Sequence, residues 1–357
     1  MLFVDELRLL AVTHPADASV FPDEGMRLTV RPFRLFTPRN ARPPAAATDE
    51  HGHDVLPQIS TMDRHYPDDF ERLPIRGYAG EHTVTMTLPP HTSRQRTLLL
   101  LTGWTDYAFS TDNVAAHQAG LTLTPPVLQA KDARGTWRTV DADVGIPVGR
   151  PQTMVLDVTS VASQPLRLVT NMRVYWDQIL VAEDAQARVS TDVVPRVAAG
   201  LRWRGFSAEV TPDGREPFGY DYAKVLFEAP WKLMPGRYTR EGNVEALISR
   251  TDDRFVISRT GDELSLSFDA TTLPPLPAGS RRTFLLYGAG FSKEMDYHSA
   301  SPDVVMPIPF RAMSRYPYPA SERYPHANDL DTLHTRVISR GIPAMTSHGD
   351  AEARRPH

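Results

Sequence analysis

TLLLLTGWTDYAFSTDN, residues 97–113, and LRLVTNMRVYWDQI, residues 166–179, frame the part of the chain that decides its fold. Residues 97–102 are a continuous apolar run that ends at Gly103, which is typical of a strand buried on both faces. Ala133, Arg134 and Gly135 form a hairpin signal, because glycine readily adopts a positive φ. Further short apolar runs lie at 127–131, 136–140, 154–158 and 166–170. The stretch therefore predicts an antiparallel β-sheet domain.

Seven or eight short strands at this spacing favour a two-sheet sandwich. We predict an all-β fold: a jelly-roll-like (galactose-binding-like) antiparallel sandwich plus a second β-rich domain, with few short helices. The predicted segments are a sandwich domain at 1–181 that contains N-terminal strands and a loop at 39–80, a second β-rich domain at 182–312, an extended strap with a short helix at 313–341, and a disordered tail at 342–357.

Within these segments, we expect the N-terminal strands to extend the sheets of the sandwich. Short helices are predicted at 68–72, 243–251 and 330–338. In the second half, Thr260, Gly261 and Asp262 separate two apolar runs and predict a hairpin. Residues 201–222 combine aromatic and charged side chains to an unusual degree.

Composition excludes several classes of protein. Lys and Arg number 39 and Asp and Glu number 43, a net charge of -4, which gives no general attraction to nucleic acid. The chain has 0 cysteines, so thiolate metal sites and cysteine nucleophiles are excluded. Its 32 prolines and 21 glycines suit short strands joined by turns.

The first residues, MLFVDELRLLAV, lack a basic segment and are interrupted by Asp5, Glu6 and Arg8, so no signal peptide is predicted. No apolar run approaches the roughly 18 residues of a membrane-spanning helix. The sequence therefore predicts no transmembrane segment and leaves the compartment undecided.

A polar loop after the first buried strand contains Trp104, Asp106, Tyr107, Asp112 and Asn113. Aromatic rings beside carboxylate and amide groups suit carbohydrate recognition, because sugar C–H faces stack on rings while hydroxyls bond to planar polar groups. A loop that is simply packed down by its own aromatic rings has the same composition. The six residues predicted to bind a ligand are these five and Arg173.

Residues 171–177 alternate as a strand would. One face carries Asn171, Arg173, Tyr175 and Asp177, and the other carries Met172, Val174 and Trp176. We expect the apolar set to face the core. For Arg173, an ion pair with an acidic neighbour is favoured over a role in binding.

His51, His53 and Asp54 offer imidazole and carboxylate ligands within four residues, as a zinc or iron site would. A site needs a third or fourth ligand, for which His14, His65 and His82 are available. The surrounding Pro- and Ala-rich loop favours solvated side chains instead. We therefore predict no metal and no cofactor, and the absence of any catalytic motif predicts no catalytic residue.

Five segments carry a resemblance to a known group of proteins: GWTDYAFSTDNVAAHQAG, GIPVGRPQTMVLDVT, VTNMRVYWDQI, LRWRGFSAEVTPDGREPFGYDY and SFDATTLPPLPAG. Over residues 1–340 the chain resembles the β-rich C-terminal region of large bacterial proteins with FG-GAP/VCBS or tetratricopeptide repeats, the ASPIC/UnbV group. The resemblance implies an exported or cell-envelope protein and supplies no catalytic residue. The repeat region and export signal of that group are missing, so the chain corresponds to a detached or truncated C-terminal module.

Together these patterns predict a non-catalytic interaction module that binds a glycan or a protein partner. A hydrolase that uses carboxylates or a histidine-bound metal is the alternative. A purely structural subunit of a larger complex is the third possibility.

Overall fold

The computed structural model describes residues 1–29, 31–90, 95–211, 214, 219–227, 234–329 and 336–338. It is mostly β, with one α-helix and several antiparallel sheets among these residues, as predicted. The described sheets do not close into a barrel. The strands are β1 (Leu2–Pro15), β2 (Phe21–Pro22), β3 (Leu35–Phe36), β4 (Pro38–Arg42), β5 (Ala46–Thr48), β6 (Tyr78–Thr87), β7 (Arg96–Thr105), β8 (Val127–Lys131), β9 (Trp137–Asp141), β10 (Gln152–Asp157), β11 (Leu166–Met172), β12 (Val174–Asp184), β13 (Ser190–Val194), β14 (Arg196–Trp203), β15 (Phe206–Val210), β16 (Gly219–Leu226), β17 (Gly236–Tyr238), β18 (Gly242–Asn243), β19 (Val256–Ser258), β20 (Asp262–Phe268), β21 (Ser280–Ser292) and β22 (Arg336–Ile338).

The first half contains two sheets that share one hydrophobic core. Their strand orders are β10-β7-β12-β4 and β5-β6-β11-β8-β9. Leu99 and Leu101 of β7 meet Val84 of β6 and Leu168 of β11 in that core. The other face of β7 is also covered, because Leu98 and Leu100 pack with Phe36. The apolar run at 97–102 is thus buried on both faces, as its composition predicted.

The apolar residues predicted to face the core at 171–177 do so, although this segment is not one strand but spans the end of β11 and the start of β12, which lie in different sheets. Met172, Val174 and Trp176 all lie in the core shared by the two sheets. Because successive side chains of a strand point to opposite faces, Arg173 and Tyr175 face away from that core.

The first strand does not extend these two sheets, contrary to expectation. Instead β1 pairs with β13, β19 and β21, so Leu9 lies opposite both Val194 and Leu286. The opening residues therefore belong to a sheet formed mainly by residues 190–292, and a second sheet, β18-β14-β20, packs nearby through Leu201 and Val256. The segment boundaries proposed from the sequence stay a prediction.

Two hairpin signals had different outcomes. At 132–136 the turn joins β8 to β9, with the Asp132 carboxylate accepting hydrogen bonds from the backbone N–H groups of Arg134 and Thr136, both at 2.9 Å. At 260–262 the chain also turns tightly, and Gly261 has a φ of +88°. However, β19 pairs with β1 and β20 pairs with β14, so the predicted hairpin is wrong.

The helix predictions are wrong wherever the structure describes the residues. Residues 68–72 contain no helix, and 243–251 contains only a 3₁₀ turn at Glu245–Leu247. Residues 336–338 form β22 rather than a helix, while 330–335 and the predicted tail at 342–357 lie outside the described residues. The α-helix observed is α1 (Ser110–Gln118), which was not predicted. Further 3₁₀ helices are Pro57–Ile59, Thr159–Val161, Ala270–Thr272 and Ala327–Asp329.

Candidate functional site

The predicted binding loop is shorter and more enclosed than the sequence indicated. β7 runs to Thr105 and α1 begins at Ser110, so only four residues connect them. Trp104 is buried and stacks on Tyr175, with ring centroids 4.8 Å apart. The Asp112 carboxylate accepts a hydrogen bond from the Phe109 N–H at 2.9 Å and caps the helix.

Asp106 and Arg173 also make contacts within the chain. The Asp106 carboxylate pairs with Arg173 at 3.2 Å and with Arg76 at 2.8 Å. Arg173 further donates to the backbone carbonyls of Leu73, Ile75 and Tyr78. Arg173 thus holds the 73–78 segment in place, which agrees with the structural ion pair favoured from the sequence.

The remaining predicted ligand residues lie at the rim of this region. The Asn113 side-chain oxygen accepts a hydrogen bond from the Tyr78 hydroxyl at 2.9 Å. Tyr107 is exposed and its ring contacts Phe109. The structure therefore brings Trp104, Asp106, Asn113 and Arg173 into one region, but mainly as parts that hold strands, loop and helix together.

An aromatic cluster extends from Trp104 to a cavity. Tyr66 and Tyr175 contact Trp104, and Phe70 contacts Tyr175 at a centroid distance of 5.5 Å. Phe70 in turn stacks on His82, with centroids 4.2 Å apart. Phe70 and His82 both line the cavity, so the cluster forms part of its wall.

The cavity has a volume of about 220 Å³ and an acidic lining. Five of its lining residues carry carboxylates, two are histidines, and none is Lys or Arg. Such a lining attracts cations rather than anions. The lining residues are Asp49, Glu50, His53, Asp54, Val55, Gln58, Pro67, Asp68, Asp69, Phe70, His82, Thr83 and Val84.

Asp49 is fixed by the short loop that follows β5. Its Oδ1 accepts hydrogen bonds from the backbone N–H groups of His51 at 2.9 Å and His53 at 2.8 Å. Its Oδ2 lies 3.0 Å from the Nδ1 of His53. Burial raises the pKa of Asp49, but the hydrogen bonds from His53 and His51 outweigh burial and hold the pKa below its usual value.

Only one of the three residues considered as metal ligands joins a cluster. The side chains of Asp49, His53 and Asp69 place one ligand atom each within 4.8 Å of one another. His51 instead lies 3.6 Å from Glu50, and the Asp54 carboxylate accepts a hydrogen bond from the Leu56 N–H. Of His51, His53 and Asp54, which the sequence offered as candidate ligands while predicting no metal, only His53 lies in this group of three.

His82 is buried in β6 beside this cluster. Its Nδ1 lies 3.0 Å from the carbonyl oxygen of Gly80, and since a carbonyl can only accept, Nδ1 carries the proton. Its Nε2 is buried and has no hydrogen-bond partner among the residues that the structure describes. Burial lowers the pKa of His82, which favours the neutral ring.

The sequence did not single out Asp49 and Asp69 as members of this cluster, and His82, which it offered as a further possible ligand, lines the cavity without joining the cluster. A local signal existed for Asp49, because an aspartate ahead of a turn with a glycine often bonds to the following backbone. Asp69 is brought to His53 by the packing of its neighbour Phe70 on His82, for which the sequence holds no short-range signal.

A separate surface carries exposed aromatic rings. β15 and β16 form a two-stranded antiparallel sheet, to which no third described strand is added. On and beside it, Trp203 is 37% exposed, Tyr220 50%, Tyr222 72% and Phe227 68%. We call these four residues with the two strands the aromatic hairpin. Its base is anchored where the N–H groups of Arg204 and Gly205 donate to the Gly261 carbonyl.

Comparisons with known proteins add no further assignment. No family model, no curated protein and no solved structure matches this chain. The resemblance to the ASPIC/UnbV group accordingly stays a prediction. Among the described residues, no helix combines the length and the apolar character needed to cross a membrane.

Proposed function

We propose that this protein is a non-catalytic interaction module that binds a protein partner through the aromatic hairpin, as a subunit of a larger assembly. In this proposal the two sheets of the first half form a jelly-roll-like, galactose-binding-like sandwich that gives rigid support. An exported or cell-envelope setting follows from the ASPIC/UnbV resemblance alone.

The proposal depends on the exposure of four aromatic rings on and beside one hairpin. Large aromatic side chains left in water forgo the free energy of burial, and contiguous exposed apolar surface commonly marks an interaction site. Tyr, Trp and Phe are also the residues enriched in protein interfaces. Val210 and Leu226 are exposed on the same two strands and enlarge the apolar area.

Charge at the base of the hairpin supports the same interpretation. Arg202 and Arg204 both pair with Glu263, and Arg259 pairs with Asp262, so each of these charged groups near Trp203 is engaged in an ion pair. An apolar centre with a paired polar border is the usual anatomy of a protein interface. A glycan site would place unpaired planar polar groups beside the rings.

Site-specific photo-cross-linking tests the proposal. A photoreactive residue placed at Tyr222 should give one discrete protein adduct in extracts of the source organism. The same residue placed at Tyr297, which is 83% exposed but lies outside the hairpin, is the matched control and should give none. The adduct should disappear when Phe227→Ser and Trp203→Ser are introduced into the variant that carries the photoreactive residue at position 222.

Equal, unspecific labelling from both positions would contradict the proposal. A glycan array provides the competing outcome. Glycan binding by the wild-type chain that is lost in Tyr222→Ala would reassign the aromatic hairpin to carbohydrate recognition.

A further inference from the structure

We propose that Asp49, His53 and Asp69 bind a divalent transition-metal ion, for which Zn²⁺ is the best fit, at the mouth of the acidic cavity. The inference concerns a different surface from the aromatic hairpin and does not depend on the proposed function. It rests on the geometry of three ligands, on the charge of the lining and on the buried ring of His82.

The ligand distances suit a small ion. His53 Nδ1 lies 3.0 Å from Asp49 Oδ2 and 3.8 Å from Asp69 Oδ2. Tetrahedral Zn²⁺ with nitrogen and oxygen ligands at about 2.0–2.2 Å separates its ligand atoms by about 3.3 Å. The Asp49 and Asp69 oxygen atoms lie within 4.8 Å of each other and would move closer together on binding, while the ion would displace the proton of the hydrogen bond between His53 Nδ1 and Asp49.

The loop holds two of the ligands before any ion binds. Two backbone N–H groups fix Asp49 Oδ1, which turns Oδ2 toward the ring of His53. Gly52, with a φ of +85°, allows the tight turn between them, and Thr48 and Asp54 close the loop as a β-bridge. Little conformational entropy is then lost on binding.

Within the described part of the chain, no lysine or arginine pairs with Asp49 or Asp69. The ion pairs that the structure describes for Asp49 and Asp69 involve only His53. The nearby Arg72 is engaged by Asp68 at 2.8 Å. Two carboxylates facing one imidazole carry a net negative charge, which a divalent cation would neutralise.

His82 gives an independent indication of a polar occupant. Its Nδ1–H bond to Gly80 leaves a lone pair on Nε2, and a buried acceptor without a donor destabilises the fold. Metal-associated histidines usually have their second ring nitrogen bonded to a carbonyl in this way. His82 lies outside the three-ligand group but lines the same cavity, so we assign its Nε2 the acceptor role for a metal-bound water, which requires the wall around this buried atom to open.

The ligand set selects the class of ion. Imidazole suits Zn²⁺ and its transition-metal neighbours, whereas Ca²⁺ and Mg²⁺ prefer sites made only of oxygen. Three protein ligands leave at least one coordination position for water or for a ligand in the cavity.

Calorimetric titration of the full, metal-free chain with ZnCl₂ tests the inference, with one ion bound per chain expected. His53→Ala and Asp69→Asn should each weaken binding by more than about tenfold. Both side chains are largely exposed, so these variants should fold. His51→Ala is the matched control, since the His51 side chain lies in the same loop without joining the cluster. The affinity of this variant for Zn²⁺ should equal that of the wild type.

Co²⁺ gives a readout of coordination that does not depend on affinity. Its visible absorption should change on binding to the wild-type chain and should not change with His53→Ala. NMR of the ring nitrogens should show the His82 Nε2 resonance shifting on Zn²⁺ addition. The absence of stoichiometric Zn²⁺ binding, equal losses in His51→Ala and His53→Ala, or tighter binding of Ca²⁺ than of Zn²⁺ would each overturn the inference.

Discussion

Two groups of acidic residues in this molecule differ in what neutralises them. On β1, the fully buried Asp5 accepts hydrogen bonds from the backbone N–H groups of Asp252 and Asp253, and it pairs with Arg311. Arg311 also pairs with Asp253 at 2.7 Å. At the cavity, the ion pairs that the structure describes for Asp49 and Asp69 are with His53, and no arginine takes part in them.

The difference separates an acid that serves the fold from an acid group suited to a ligand. Burying a carboxylate is costly unless a cation and hydrogen-bond donors accompany it, and the chain supplies both to Asp5. At the cavity, Asp69 is exposed, whereas Asp49 is largely buried and accepts hydrogen bonds from two backbone N–H groups, so the fold tolerates both without an arginine. That uncompensated charge is the basis of the proposed metal site.

The largest change in the free energy of unfolding is expected when Arg311, the cation that pairs with Asp5, is removed. Arg311→Ala would leave Asp5 buried without its counter-charge. We expect a loss of about 2–3 kcal/mol in the free energy of unfolding, below the cost for a wholly buried pair because Arg311 is partly exposed. Urea denaturation measures this change. Arg323→Ala, at an exposed arginine, is the control, and a similar loss there would contradict the assignment.

Lys293 provides the converse case, a buried cation with no acidic partner among the residues that the structure describes. Lys293 donates to the carbonyls of Val304, Val305 and Met306, and burial lowers its pKa from 10.5 to about 8. Between these values the unfolded chain holds the proton more tightly, so stability should rise as pH increases from 8 toward 10.5.

The expected gain is on the order of 2 kcal/mol over this range. The difference between the stability curves of wild type and Lys293→Met isolates the effect from tyrosine ionisation. Lys224→Met, at an exposed lysine, should keep the wild-type slope. A wild-type slope in Lys293→Met would show that another group is responsible.

The smallest change in the free energy of unfolding is expected for a substitution at the cavity. Asp69 is 82% exposed at its side chain and has no arginine partner among the described residues, so Asp69→Asn in metal-free buffer should change the free energy of unfolding by less than about 0.5 kcal/mol. A saturating metal ion, in contrast, should stabilise the wild-type chain by about 2.7 kcal/mol at 100 times its Kd and the variant by much less. Thermal melts with and without ZnCl₂ measure both quantities. A large loss without metal would place Asp69 with Asp5 as a structural acid.

The sequence indicated those parts of the fold that depend on local patterns. The run at 97–102 and the alternation of Met172, Val174 and Trp176 are set by burial of the residues themselves, so both were predictable. The turn at 132–136 was also predictable, because the Asp132 side chain bonds to its own turn.

The missed elements depend on distant partners or lack a pattern. The turn at Gly261 forms, yet its two strands join different sheets, and no local signal specifies the partner of a strand. Helix α1 has only Ala116 buried and therefore shows no apolar stripe. It is held from outside, since the Asp296 carboxylate accepts hydrogen bonds from Ser110 and Thr111.

The candidate site was predictable to a similar extent. His53 could be singled out because the residue types around it include metal ligands. Its partner Asp69 lies 16 positions further along and reaches it through aromatic packing, which a spacing rule does not capture. The aromatic composition of residues 201–222 was evident, but only the structure shows that its rings face solvent.

The pairing of β1 with β21 also bears on the order of synthesis. The residues Leu2–Pro15 are synthesised some 265 residues before their longest partner, Ser280–Ser292. At about 5–20 residues per second, this strand waits roughly 15–50 seconds for that partner. During this interval an apolar strand has an unpaired edge, so nascent chains of this protein are expected to need protection from aggregation until Ser280–Ser292 has been translated.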